Sequence, residues 1–317
     1  MMRCPSRQQG SVLVLALLVI ATLTGLAVAF SGTARTEVSL AAFSRDRLRA
    51  EALARAGIEA ALHAIAADED LETDHQEEDW ALLDGTAVPL EIPEEARLTL
   101  LIQDESGRFH LNRLRNEAGE IDEDEAKRLE RLFDILGLDR VAFESLLDWL
   151  DADDIKRLDG AESFHYEGLK APYPCANGPL LSPGQVHLVR GLAQTDGLGE
   201  EGNTDLLDRV TVYAFGKVNV NTAPAEVLES LDQDLDRTLA EAILDQRVDE
   251  PFASVEEVKE VPGMEEEVFE RIQPLLTVKT SLFRIQSKAQ WDEATCRMDA
   301  VVERSEDTLR RIFWKVD

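Results

Sequence analysis

"RQQGSVLVLALLVIATLTGLAVAFSGTAR", residues 7–35, carries no charge between its two terminal arginines. Residues 11–34 are almost wholly apolar or small, and at ~1.5 Å per residue about 20 of them cross a bilayer core. The apolar region of a secretory signal is shorter, roughly 7–15 residues, and is followed by a small-residue cleavage site. Here only Ala27 and Ala29 offer one. The stretch therefore reads as a retained membrane-spanning helix.

Downstream, "RTEVSLAAFSRDRLRAEALARAGIEAALHAIAA" (residues 35–67) is rich in Ala, Leu, Arg and Glu and contains no proline. Those are strong helix formers. One helix is expected from about residue 11 to 67, roughly 85 Å long at ~1.5 Å per residue. Ala41, Leu48, Ala52, Ala56, Leu62 and Ile65 recur near helical spacing and form a narrow apolar stripe suited to packing on a sheet. Arg3 and Arg7 lie on one side of the span and Arg35, Arg45, Arg47 and Arg49 on the other, so basic residues assign no orientation.

With 317 residues and 44% apolar content, the remainder has material for two or three small cored domains. The net charge of −30, from 33 basic and 63 acidic residues, repels phosphate backbones and anionic headgroups. It either serves solubility or gathers carboxylates around a cation. The three cysteines, Cys4, Cys175 and Cys296, form no CxxC or zinc-type spacing. If Cys4 is lost by processing, Cys175 and Cys296 are left available for a disulfide in an oxidising compartment, though sequence does not say whether they meet. No G-x-S-x-G, H-E-x-x-H, P-loop or G-x-G-x-x-G pattern occurs, and His63, His75, His110, His165 and His187 are scattered, so no enzyme is expected.

In the body, "LTLLIQDESGRFHLNRL" (residues 98–114) reads as two strands joined at Asp104–Gly107. Residues 210–220 and 281–316 add β-type alternation, and helical blocks fill 122–192 and 222–276. "VNVNTAPAEVL" followed by "FASVEEVKEVPGMEEEVFERI" resembles tandem helix-hairpin-helix units, with Ser254 and Glu257 as a capping box and Val261–Met264 as the hairpin. Glu265, Glu266 and Glu267 then occupy the helix end that would hold a phosphate, so no nucleic acid is expected. The densest polar cluster is "DWLDADDIKRLDGAESFHY", with Asp148, Asp151, Asp153, Asp154, Asp159 and Glu162. Several carboxylates on one turning loop suit a hard cation such as calcium; the alternative is a solvated acidic loop. Ile155 excludes an EF-hand. The run from Asp68 to Asp79 reads as an exposed linker.

A short basic leader ending in glycine, then an apolar segment and an amphipathic helix, resembles the type IV pilin-type N-terminus. That resemblance implies a leader of residues 1–10, cleaved between Gly10 and Ser11 by a prepilin peptidase. Leu15 stands where most members carry glutamate. "RAEALARAGIEAALHAI", "DESGRFHLNRL", "LLDWLDADD", "GAESFHY", "NGPLLSPGQVHLVRGL" and "VNVNTAPAEVL" also occur in an order similar to that of the type II secretion system protein K family of minor pseudopilins. This implies an α+β fold: a long N-terminal transmembrane helix and a pilin-like α/β body with a large α-helical insertion containing helix-hairpin-helix or SAM-like units.

The segments expected on that basis are an anchor at 11–34, its amphipathic continuation at 35–67, and a linker with the first pilin-like strands at 68–121. The insertion occupies 122–209 and 222–276, with a pilin-like strand at 210–221 between its parts and the last strands at 277–317. The implied role is capping the tip of a periplasmic pseudopilus to support export of folded proteins. Implied partners are other minor pseudopilins, the major pseudopilin, the prepilin peptidase, the inner membrane and secreted substrates, with calcium in the insertion. A buried carboxylate in lipid is costly unless paired, so Leu15 suits a subunit with no neighbour above it. A minor pilin of a type IV pilus and, more distantly, a DNA-uptake protein are the alternatives.

Overall fold

A computed structural model describes residues 9–83, 92–192, 204–213, 216–305 and 308–317. Residues 1–8 of the expected leader lie outside the described residues. The chain opens with α1 (Gln9–Ala66), α2 (Asp79–Leu82), β1 (Ala96–Asp104) and β2 (Phe109–His110), then α3 (Glu123–Ile135), α4 (Arg140–Leu150) and α5 (Ser163–Glu167). After α6 (Thr204–Arg209), β3 (Val210–Thr211) and β4 (Val218–Asn219) come α7 (Ala225–Ser230), α8 (Arg237–Asp249), α9 (Glu266–Ile272) and β5 (Leu276–Thr277). Three long strands finish the chain: β6 (Leu282–Trp291), β7 (Ala294–Ser305) and β8 (Thr308–Val316).

α1 is unbroken for 58 residues. Among the described residues it is the helix long and apolar enough, by length and composition, to cross a membrane. In its apolar half Thr22 and Thr24 donate to the carbonyls of Leu18 and Ile20, which hides their hydroxyls without water. Its second half packs on β1, β6 and β7. The face that meets the sheet is Ala50, Ala54, Gly57, Ile58, Ala61 and Ile65. This corrects the expected stripe: Ile65 is buried, Ala56 and Leu62 are half-buried, and Ala41, Leu48 and Ala52 are exposed. Small residues win because they let the helix approach closely; a Cβ on Gly57 would stand 2.5 Å from Ser287 Oγ and 3.2 Å from a Leu98 methyl.

The sheet is antiparallel throughout, in the order β1-β6-β7-β8. Leu98, Leu100 and Ile102 of β1, Phe283, Ile285 and Ala289 of β6, and Cys296, Met298, Ala300 and Val302 of β7 alternate onto the face that α1 covers. β6 turns into β7 through Asp292 at φ 49°, a left-handed position that Asp tolerates. The remainder, from Phe109 to Val278, forms a second, larger core in which Leu129, Leu132, Phe133, Leu146, Trp149 and Tyr166 are almost wholly buried. The long helical insertion thus falls between the first strand of the sheet and the other three.

Several expectations are corrected here. β1 does not form a hairpin with the segment after Gly107; it pairs with β6, while β2 pairs in parallel with β3 inside the helical body. The described residues of the expected strand at 210–221, namely 210–213 and 216–221, do not join the pilin-like sheet. Val210, Val212, Val218 and Val220 do alternate, yet they point into the helical core, and β4 makes a two-residue parallel bridge to β5. Cys175 and Cys296 are free thiols in separate cores, the first among the insertion helices and the second on β7 beneath α1, so the disulfide that the sequence left open is not formed. At Ser254 the turn is a 3-10 helix and the hydroxyl makes no cap bond; Glu257 instead accepts from the Ala253 amide at 2.8 Å.

Candidate functional site: a buried carboxylate trio and a polar cross-tie

α4 ends at Leu150 because the chain turns out of helical geometry at Asp151, where ψ is 174°. Asp148, one turn earlier, shares a helix face with Asp151. The loop that follows returns at Gly160 and places Glu162 at the start of α5. One oxygen from each of Asp148, Asp151 and Glu162 lies within 4.8 Å of the others. The three residues are 0%, 5% and 3% exposed. A side chain at position 160 would force Asp148 to shift, since a Cβ there would lie 2.0 Å from Asp148 Oδ2.

Among the described residues the basic side chain ion-paired with the trio is Arg157. Its Nη1 donates to Asp148 Oδ1 at 2.7 Å and also to Asp151 Oδ2, and its backbone amide donates to Asp148 Oδ2 at 3.2 Å. Asp151 Oδ1 and both Glu162 oxygens are buried without a hydrogen-bond partner. Burial, then the charges of Asp148, Asp151 and Asp154, push Glu162 up to about 8. Burial also raises Asp151, against the opposing bond from Arg157. Below the trio Cys175 donates weakly to the Asp148 carbonyl at 3.9 Å, and burial pushes its thiol up to about 12, where it is an inert core residue.

Of the six carboxylates read from the sequence, three converge and three do not. Asp153 caps its own loop by accepting from the Ile155 amide at 2.7 Å, and Asp154 accepts from the Ser163 amide at 3.4 Å. Asp159 is half-buried outside the trio. Three inward carboxylates with unpartnered oxygens fit a hard, oxygen-seeking cation such as calcium. Arg157 was missed by a reading that looked only for acidic ligands; its place between the two arms of the acidic run was the available signal.

A second acidic group was also missed. Asp68, Asp74 and Glu78 converge, although the sequence read their segment as an exposed linker. Asp74 is 0% exposed. It accepts from the Thr280 amide at 2.7 Å and from Arg304, which also donates to Asp68 at 2.6 Å. Glu78 accepts from the Trp80 indole and from the His75 amide at 3.1 Å. With these partners supplied by the protein, the group is a cross-tie. It continues into Asp104 at the end of β1, which accepts from the Ser106 amide at 2.6 Å, Asn219 Nδ2 at 2.9 Å and the Thr222 hydroxyl at 2.7 Å. The motifs "DESGRF" and "VNVNTAP" therefore meet, at the seam between sheet and insertion.

The helix-hairpin-helix segment is closed at Gly263, whose φ of 93° no L side chain favours, with the Met264 amide bonded to the Val261 carbonyl at 3.0 Å. Glu265 stands at the N-terminal boundary of α9 without a side-chain cap bond, and Glu266 and Glu267 fill its first turn. Three carboxylates there oppose an anion. At the other end of the molecule Gly10 and Ser11 lie in the first turns of α1, and Leu15 is exposed on its apolar half.

The family described as "Type II secretion system (T2SS), protein K" matches this chain in two parts, residues 107–197 and residues 218–279. Over 188 residues the chain is 32% identical to the type II secretion system protein K of Pseudomonas aeruginosa, a match covering 57% of this chain and 53% of the relative. The matched region thus spans about half the length of that relative. In three dimensions the chain resembles one from the crystal structure of the GspK-GspI-GspJ complex of the enterotoxigenic Escherichia coli type 2 secretion system. The TM-score is 0.64 at 18% identity, over 90% of this chain and 99% of that one. At that identity the likeness speaks for the fold.

Proposed function

We propose that the chain, which matches the type II secretion system protein K family over residues 107–197 and 218–279, is a minor pseudopilin that caps a periplasmic pseudopilus and supports export of folded proteins. The observation that carries the reading is α1. Its second half is packed on the sheet while every large apolar side chain from Val12 to Phe30 is exposed, as a helix needs to be if it is anchored in lipid and then stacked among other helices. In this reading a prepilin peptidase removes residues 1–10 between Gly10 and Ser11, the inner membrane holds residues 11–34, and the body lies in the periplasm. Leu15 places no carboxylate in the bilayer, which suits a subunit without a neighbour above it. The partners are other minor pseudopilins, as in the complex named by the structural relative, together with the major pseudopilin. The work is assembly and contact, without chemical turnover.

Calcium belongs to the same reading. Asp148, Asp151 and Glu162 would hold it, and the ion would supply the positive charge and the oxygen-directed bonds that the trio otherwise lacks. Calcium is expected to raise the melting temperature reversibly to EDTA, and an unchanged melting curve would remove the ion from the account.

The function is tested by intact mass and N-terminal sequencing of protein from its native membrane, with and without active prepilin peptidase, followed by co-purification with the companion minor pseudopilins. A chain that begins at Ser11 only when the peptidase is present, and that retains those companions, supports the proposal. One beginning near Gly32 would have lost its anchor and overturns it.

A further inference from the structure

We propose that the Arg157 guanidinium is a built-in counter-ion for the carboxylate trio, one that a divalent cation must displace before it can bind. The proposal rests on the reading of Asp148, Asp151 and Glu162 as a cation site and concerns how that site is regulated. A single nitrogen, Nη1, bridges Asp148 Oδ1 at 2.7 Å and Asp151 Oδ2. A calcium ion bound to the same two oxygens sits at ~2.3–2.6 Å from each, in the volume this nitrogen already fills. Guanidinium and metal therefore exclude one another.

The two occupants differ in what they satisfy. Arg157 brings one positive charge to three carboxylates and leaves Asp151 Oδ1 and both Glu162 oxygens unpartnered. A divalent ion brings two charges and bonds oxygens from all directions, so it reaches those the planar guanidinium cannot. An exit is available, because the Arg157 side chain is 29% exposed while Asp148 is 0% exposed beneath it. The loop need not unravel when the head group leaves. The Arg157 amide still holds Asp148, the Gly160 amide holds the Arg157 carbonyl at 3.2 Å, and Asn177 Nδ2 holds the Asp153 carbonyl at 2.8 Å. The consequence is a site that stays partly neutralised and folded without metal, at the cost of weaker metal binding.

The test is calorimetric titration of calcium chloride into full-length protein in detergent, wild type against Arg157→Met. With the competing head group gone, the variant is expected to bind calcium at least about tenfold more tightly, since apparent affinity scales with the fraction of molecules in the open form. It is also expected to melt lower than wild type without metal. Equal or weaker affinity in the variant overturns the proposal while leaving the cation site standing. If neither protein binds calcium, the cation reading falls, and the displacement mechanism with it. A second measurement needs no variant: phenylglyoxal modification of wild type, mapped by peptide mass, is expected to rise several-fold at Arg157 when calcium is added and to return with EDTA. Unchanged or reduced modification at Arg157 in calcium-bound protein overturns the proposal.

Discussion

Glu78 accepts from an indole and a backbone amide in a half-buried position beside Asp68 and Asp74. Burial, with those two neighbouring charges adding to it, pushes its carboxyl up to about 7 from an ordinary 4.5. Between those values the folded chain holds more protons than the unfolded one, so stability falls as pH rises through the window and levels off above it. The melting temperature is expected to drop between about pH 5 and about pH 8, and Glu78→Gln, which removes the titration but keeps only one of the two accepted bonds, is expected to flatten that slope at a lower overall melting temperature. An equal slope in the variant would place the titration elsewhere. Gly160 offers a sharper residue-level test. With Asp148 Oδ2 only 2.0 Å from where a Cβ would stand, Gly160→Ala should cost about 1–3 kcal/mol in urea unfolding through overpacking and loosen the carboxylate trio with it. The acidic run was legible in the sequence, since six carboxylates in one loop stand out. Which three turn inward was not, because that depends on where α4 ends and on how closely Gly160 lets the loop return.

At the scale of an element, α1 has two environments along one unbroken cylinder. Its apolar composition and lack of proline were enough to predict its length. The face it turns to the sheet was misread by sequence because alanines surround this part of the helix, at 50, 52, 54, 56, 60, 61 and 64, so spacing alone did not single out the face of Ala50, Ala54, Gly57 and Ala61 that approaches the sheet. Gly57→Leu is the test: with Ser287 Oγ at 2.5 Å and Leu98 at 3.2 Å, the larger side chain should push helix from sheet and lower stability by about 1–3 kcal/mol or more. The same substitution at Gly25, which has nothing within 4 Å, is the control expected to leave the melting temperature of the body unchanged.

For the whole molecule the decisive feature is the seam between the sheet and the helical insertion. Arg304 of β7 ties Asp68 and Asp74 of the segment after α1 to the Thr280 carbonyl at the entry to β6, and its guanidinium lies 4.8 Å from the Phe283 ring centre. Asp74 in turn offers its carbonyl to Asn219 at 3.1 Å. Arg304→Met leaves Asp74 buried without its cation. The expected loss is about 3–5 kcal/mol in denaturant unfolding, together with new proteolytic cleavage in residues 68–83. Resistance equal to wild type would show that the seam is held by apolar packing alone.

Sequence by itself determined whatever depends on local composition: the long apolar helix, the helical blocks, the terminal meander of strands, the acidic first turn of α9 and the motif order shared with the protein K family. Tertiary structure alone decided which segments meet. A period of two marks residues 210–220 as extended, but only the competition between two cores sends Val210 and Val220 into the helical one and Met298 and Val302 under α1. The same competition separates the two cysteines, turns an acidic linker into a buried cross-tie, and places Arg157 across two carboxylates. Each depends on contacts between residues distant in the chain, where burial and pairing outweigh local preference.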